Sequence, residues 1–179
     1  MKKIILSLLA VFGFIFGINA AEIDKENTLV LQLKDGNVII QMYPQAAPNH
    51  VNRIKQLVRQ GFYDGLKFHR VIEGFMAQTG DPLGNGTGGS GTKLRAEFNN
   101  IHHQRGTVSM ARASDPNSAD SQFFICFADA GFLDGQYTVW GQVISGMEYV
   151  DKIKRGTGSN GEVVNPDTII SMKVLADIK

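Results

Sequence analysis

Short apolar runs with a period of two, each closed by a glycine-bearing turn, recur along the chain and confine it to a sheet-based fold. Leu29, Leu31 and Leu33 alternate with Val30 and Gln32, which gives one strand face made of leucine. Asp35-Gly36 supplies hairpin-turn chemistry, because glycine tolerates positive φ, and 38–43 returns as the partner strand. The stretches 67–72 and 76–79 read as a second pair around Glu73-Gly74, and further strands fit 107–111, 122–127, 138–144 and 168–176. Two segments carry helical spacing instead. After Pro48, the residues Val51, Ile54 and Leu57/Val58 recur at that spacing until Gly61, which can close the helix in left-handed geometry. A second helix fits 147–155, with Ser145 as cap, Val150 and Ile153 inward, basic residues at its negative end and Gly156 as stop. The expected fold is mainly β: an eight-stranded antiparallel β-barrel capped by two α-helices, which leaves no exposed sheet edge. At 179 residues the chain has room for one core, and it shows no internal repeat.

The first residues read as an export signal. Lys2 and Lys3 precede an almost wholly apolar run at 4–18, and Asn19-Ala20-Ala21 offers a cleavage site before the polar run 22–27. An uncleaved membrane anchor is the alternative, but about 15 apolar residues with two glycines fall short of the ~20 that span a bilayer. The division is therefore 1–20 signal peptide and 21–179 mature domain, with the periplasm as destination. Cleavage removes two of the 18 basic residues and none of the 17 acidic ones, leaving a charge of about −1. A neutral surface argues against nucleic acid or an anionic membrane as partner. Cys126 is the single cysteine, so no intrachain disulfide can form; its apolar neighbours mark it as buried and inert.

Two segments match the dinucleotide fingerprint G-x-G-x-x-G, at Gly84-Gly86-Gly89 and Gly156-Gly158-Gly161. That mechanism needs a helix N-terminus directly after the glycines, and neither match runs into one. Glycine-rich turns are the expected reading, with no cofactor. His102 and His103 are adjacent and would point to opposite faces of a strand, without a zinc-like set of cysteines or carboxylates beside them, so no metal is expected. His50 is expected on the surface of the first helix, and His69 in a structural hydrogen bond.

The stretch 68–81 is the informative one: Phe68-His69-Arg70-Val71-Ile72-Glu73-Gly74-Phe75-Met76-Ala77-Gln78-Thr79-Gly80-Asp81. On a strand, Phe68, Arg70 and Ile72 share one face, and after the turn Met76 and Gln78 share a face. An arginine, an amide and large apolar groups then meet on one surface, the usual make-up of a ligand site.

This stretch resembles the signature segment of the cyclophilins. Gly84-Asn85-Gly86-Thr87-Gly88-Gly89 resembles their glycine-rich loop, Ser109-Met110-Ala111-Arg112 and Ser121-Gln122-Phe123-Phe124-Ile125 resemble two later site segments, and Phe132-Leu133-Asp134-Gly135 the turn after them. The resemblance runs in family order from about residue 27 to 179. It implies a peptidyl-prolyl cis-trans isomerase that acts without cofactor on X-Pro bonds during folding of exported proteins. It places the catalytic arginine at Arg70. Phe75, Met76, Phe124 and Leu133 would line a proline pocket, and Gln78, Ala111 and Gln122 would contact the substrate backbone. Phe132 stands where many members carry Trp, Tyr137 where many carry His, and Arg112 where many carry Asn. Those replacements imply weak cyclosporin binding at a site that includes Phe132 and Tyr137. The expected partners are proline-containing unfolded or flexible polypeptides, met by a monomer. The alternative is a non-catalytic proline-peptide-binding module or holdase chaperone using the same groove.

Overall fold

The computed structural model describes residues 23–179, so the segment read as an export signal lies outside the described residues. Eight strands form one antiparallel sheet: β1 (Thr28–Leu33), β2 (Gly36–Met42), β3 (Arg70–Ile72), β4 (Met76–Thr79), β5 (Thr107–Met110), β6 (Phe123–Cys126), β7 (Val139–Ser145) and β8 (Ser171–Val174). Their order is β3-β4-β6-β5-β7-β2-β1-β8. The β1–β2 hairpin pairs Leu31 with Val38 and Leu29 with Ile40, and all four side chains are fully buried while Gln32 faces solvent. Alternation therefore converts directly into one buried face.

The sheet curls into a half-barrel whose two edges are joined by the segment 161–170. On the β3 side, Val71 N–H donates to Gly161 O, Val163 N–H to His69 O, and Phe68 N–H to Asp167 O. Just before β8, Gly65 N–H donates to Ile169 O and Ile169 N–H to Leu66 O, while Ile170 N–H extends the β8–β1 pairing by donating to Gln32 O. The residues leading into the edge strands β3 and β8 thus pair with each other, which shortens the exposed edge that could pair with other chains.

Helix α1 (Pro48–Arg59) packs against β8 and buries Val51, Ile54, Leu57 and Val58. Its N-terminal N–H groups at Asn49 and His50 donate to the Glu97 carboxylate at 3.1 and 3.0 Å, a cap supplied from a distant loop. His50 is fully buried with Nδ1 2.6 Å from Glu97 Oε2, not on the surface as its place on the first helix suggested.

The second helix is shorter than its pattern implied. α2 covers only Met147–Val150, Ser145 ends β7, and Gly146 occupies the N-cap position at φ +83° with no side-chain cap. A Cβ on Gly146 would lie 3.0 Å from Val38 Cα, so glycine is required by both space and φ. Arg155 Nη1 donates to the Asp151 and Ile153 carbonyls at 2.8 and 2.6 Å, which takes acceptors that a longer helix would have used. Val150 and Ile153 are buried, as the spacing required. No helix among the described residues is long and apolar enough to cross a membrane.

Candidate active site

Cross-strand rows assemble the site. β3 and β4 pair Arg70 with Gln78 and Ile72 with Met76. β6 lies on the other side of β4, with Phe124 opposite Gln78 and Cys126 opposite Met76. Residues directly opposite share a face, so Arg70, Gln78 and Phe124 form one row and Ile72, Met76 and Cys126 the next. Successive residues of β6 divide between two clusters. Phe123 and Ile125 enter the main core, whereas Phe124 and Cys126 join Met76, Ala130 and Leu133 on the outer face.

That outer face carries a cleft of about 280 Å³. Met76, Phe124 and Leu133 are buried at its base, and Phe75, Phe132 and Tyr137 stand around it. The Phe75 and Phe132 rings lie 5.3 Å apart at 45°, and Tyr137 meets Phe124 edge-on at 6.0 Å. Phe132 is 67% exposed, an apolar side chain available to a ligand. Arg70 and Gln78 supply polar groups at the rim, with Ala111 packed beside them.

The rim is held by a relay. Arg70 Nε donates to the Asn160 carbonyl at 3.0 Å and Nη1 to Gln78 Oε1 at 3.2 Å. Gln78 Nε2 donates to Gln122 Oε1 at 2.9 Å, and Gln122 Nε2 donates to Gly86 O and Gly88 O at 3.1 and 2.8 Å. Arg70 Nη2 has no hydrogen-bond partner among the described residues. Gly80 makes the close packing behind this relay possible: at φ +88°, a Cβ there would come within 2.9 Å of Gln122 Cα.

Nine of the ten residues singled out above line the one cleft. Gln122 lines a neighbouring recess of about 250 Å³ on the far side of Gln78, shared with Gly86, Gly88 and Lys93. Two further residues take part, Arg112, named above only as a replacement for Asn, and Asn160, which was not named. Arg112 also lines the cleft, its guanidinium 4.6 Å from the centre of the Tyr137 ring. Asn160 holds Arg70 through its backbone carbonyl, so no side-chain type marks the position. His69 differs from expectation: both ring nitrogens are buried without a partner among the described residues, and burial lowers its pKa. Cys126 is fully buried and its thiol is pushed up to about 12, first by burial. Neither glycine fingerprint opens a helix. No group of three or more His, Cys, Asp or Glu among the described residues is arranged to hold a metal ion.

Solved structures share this architecture. The chain superposes on cyclophilin AquaCyp293 from Hirschia baltica with a TM-score of 0.78 at 28% identity, covering 88% of this chain and 77% of that one. A cyclophilin-type isomerase from Cryptosporidium parvum, solved in the presence of the dipeptide Ala-Pro, gives 0.76 at 27% identity over 82% of this chain and 98% of that one. The fold is thus of the cyclophilin class. In sequence, the family described as cyclophilin type peptidyl-prolyl cis-trans isomerase/CLD matches residues 28–174. A probable peptidyl-prolyl cis-trans isomerase of Brucella suis is 55% identical over 89% of this chain and 88% of its own length. Peptidyl-prolyl cis-trans isomerase B of Bacillus subtilis is 45% identical over 74% and 90%. The chain belongs to the cyclophilin-type peptidyl-prolyl cis-trans isomerases, a family of enzymes.

Proposed function

We propose that this isomerase works on X-Pro bonds of unfolded or flexible polypeptides outside the cytoplasm, with Arg70 acting on the twisted amide over the apolar cleft. Rotation about an amide costs ~18–20 kcal/mol because twisting destroys resonance. For X-Pro the two planar forms lie close in energy and exchange in tens to hundreds of seconds. The enzyme must therefore favour the twisted form over both planar ones, and needs neither nucleophile nor bond cleavage.

At the midpoint of the twist the prolyl nitrogen regains a lone pair and accepts a hydrogen bond. A guanidinium is a permanently charged, rigid donor. The observation that carries this reading is the clamping of Arg70: Nε and Nη1 are engaged by Asn160 O and Gln78 Oε1, Nη2 has no hydrogen-bond partner among the described residues, and Arg70 lines the same cleft as Met76 and Phe124. Phe124, Met76 and Leu133 take the pyrrolidine ring, and Gln78, Ala111 and Gln122 hold the flanking backbone.

Raising a rate of ~0.01 per second to ~100–1,000 per second lowers the barrier by about 5–7 kcal/mol. One charge-assisted hydrogen bond contributes about 1.5–3 kcal/mol net. Preorganisation and exclusion of water from the cleft supply the rest. Phe132 and Tyr137 make cyclosporin a weak ligand, and the working unit is a monomer.

A protease-free isomerisation assay on a proline tetrapeptide tests the assignment. Arg70→Ala loses at least ~100-fold in kcat/KM, about 2.7 kcal/mol of transition-state stabilisation. A holdase would keep peptide binding and client protection in Arg70→Ala, with no isomerase activity to lose. Residues 1–20 act as the export signal, so cell fractionation finds the mature chain in the periplasm; full-length chain in the membrane fraction would instead mean an anchor.

A further inference from the structure

A charged network stands behind the cleft wall and joins it to Phe124. Asp134 directly follows Leu133, and its Oδ2 lies 2.5 Å from His102 Nδ1. Its Oδ1 accepts from the His103 backbone N–H at 2.8 Å and lies 2.8 Å from His103 Nδ1. His102 Nε2 lies 2.5 Å from Asp129 Oδ2, so one imidazole spans both ends of the turn 129–134 that carries Phe132 and Leu133. A carboxylate can only accept, and a neutral imidazole has a single N–H. Satisfying Asp129 and Asp134 together therefore requires the imidazolium form of His102.

His103 carries the connection inward. It is fully buried, and its ring stacks on Phe124 with centroids 6.2 Å apart and planes at 17°. Burial lowers its pKa against the opposing pull of Asp134; its Nδ1 faces the Asp134 carboxylate, and its Nε2 lies 3.0 Å from Ser109 Oγ, whose hydroxyl donates to Thr138 O at 2.9 Å. Asp134 thus holds the turn with one histidine and the base of the cleft with the other.

We propose that protonated His102 clamps the turn 129–134, making His102, Asp134 and His103 positioning residues for the cleft wall, and that the wall loosens when His102 gives up its proton. The inference rests on reading the cleft as the proline pocket. Asp134, and then Asp129, raise the His102 pKa above its ordinary 6.5. A group raised in the folded state contributes fully below its unfolded value, and the contribution is lost as pH rises through the folded value. Asp129 and Asp134 are both lowered, chiefly by His102, and remain ionised throughout that window. Of the other groups nearby, the Cys126 thiol stays protonated at about 12, and the Arg105 guanidinium is engaged by Asp151 and Phe127 O.

The test follows KM and kcat separately for an uncharged, end-capped proline tetrapeptide between about pH 6 and about pH 9. In the wild type, KM rises about 3- to 10-fold with pH while kcat stays within about 2-fold. His102→Asn, at a half-exposed position that tolerates change, donates toward Asp134 without titrating and gives a flat profile. Asp129→Asn moves the wild-type midpoint to lower pH, because one of the two raising carboxylates is gone. A flat wild-type profile, or parallel profiles in the wild type and His102→Asn, would overturn the clamp. If Arg70→Ala leaves turnover intact, the pocket reading itself fails. If Arg70→Ala is inactive and His102→Asn tracks the wild type, only the clamp fails.

Discussion

Replacing Gln78 by Met isolates what the relay contributes to Arg70. The substitution keeps length and packing but removes both the acceptor for Arg70 Nη1 at 3.2 Å and the donor to Gln122 Oε1 at 2.9 Å. Arg70 keeps its bond to Asn160 O, so the guanidinium stays in the cleft but can swing about that contact. Both amide groups are partly exposed, so water replaces much of the lost bonding and stability falls by about 1 kcal/mol or less. Catalysis falls further, because the donor must meet a nitrogen lone pair that exists only mid-twist. The expected loss in kcat/KM is about 10-fold, or about 1.4 kcal/mol, against ~100-fold for Arg70→Ala. Gln122→Leu, one bond further from the guanidinium, costs about 3-fold, or about 0.65 kcal/mol. The protease-free isomerisation assay reads all three variants, with Tm as the control for folding. Wild-type kcat/KM in Gln78→Met, or a loss as large as that of Arg70→Ala, would refute the graded relay.

Two further outcomes follow from buried groups near the site. Asp81 is 1% exposed; burial alone would raise its pKa, but N–H donation from Leu83, Asn85 and Gly86 outweighs that and brings it below 3.8. A depressed carboxylate stabilises above its unfolded value and stops doing so as pH falls through the folded one, so urea unfolding should weaken below about pH 4. In Asp81→Asn that acid dependence shrinks and stability at neutral pH drops by about 1–3 kcal/mol; parallel curves for the two proteins would contradict this. Cys126, with its thiol near 12, should react with a chromogenic disulfide reagent only as fast as the chain unfolds; labelling of the native protein at the rate of a free thiol would show the thiol to be accessible.

The parts of the site that could be read from residues are those fixed by local geometry. A period of two and the tight turn at Glu73-Gly74 already put Arg70, Gln78 and Met76 on one face, and the register Arg70↔Gln78 follows from the same turn. The pairing of β4 with β6 spans a long insertion that no periodicity encodes, so Gln122 and Phe124 joined the site only through resemblance to a family. Errors arose where a distant partner outweighs local pattern. Helical position alone puts His50 on the surface, whereas its partner Glu97, which lies 47 positions away, holds it buried. Val150 and Ile153 fit helical spacing, yet successive turns bury them equally well once Arg155 takes the nearby carbonyls. Adjacent positions such as His102 and His103 face opposite ways only if they lie on a strand. Neither lies in one, and both turn to the same carboxylate.

The division of β6 explains why a cleft on the outside of a sheet can be stiff enough for catalysis. Phe123 packs edge-on against Tyr63 and Trp140 in the main core, at 5.5 Å from each. Its neighbour Phe124 faces the opposite way, between Tyr137 and the buried His103. A strand anchored by aromatic rings on both faces cannot shift its register without breaking two packed clusters at once. Gln78 and Gln122 sit on or beside this strand, so the arginine they orient inherits its rigidity. Binding energy from the proline ring then need not be used to order the site. On the mechanism proposed above, it goes instead into distinguishing the twisted amide from the two planar ones.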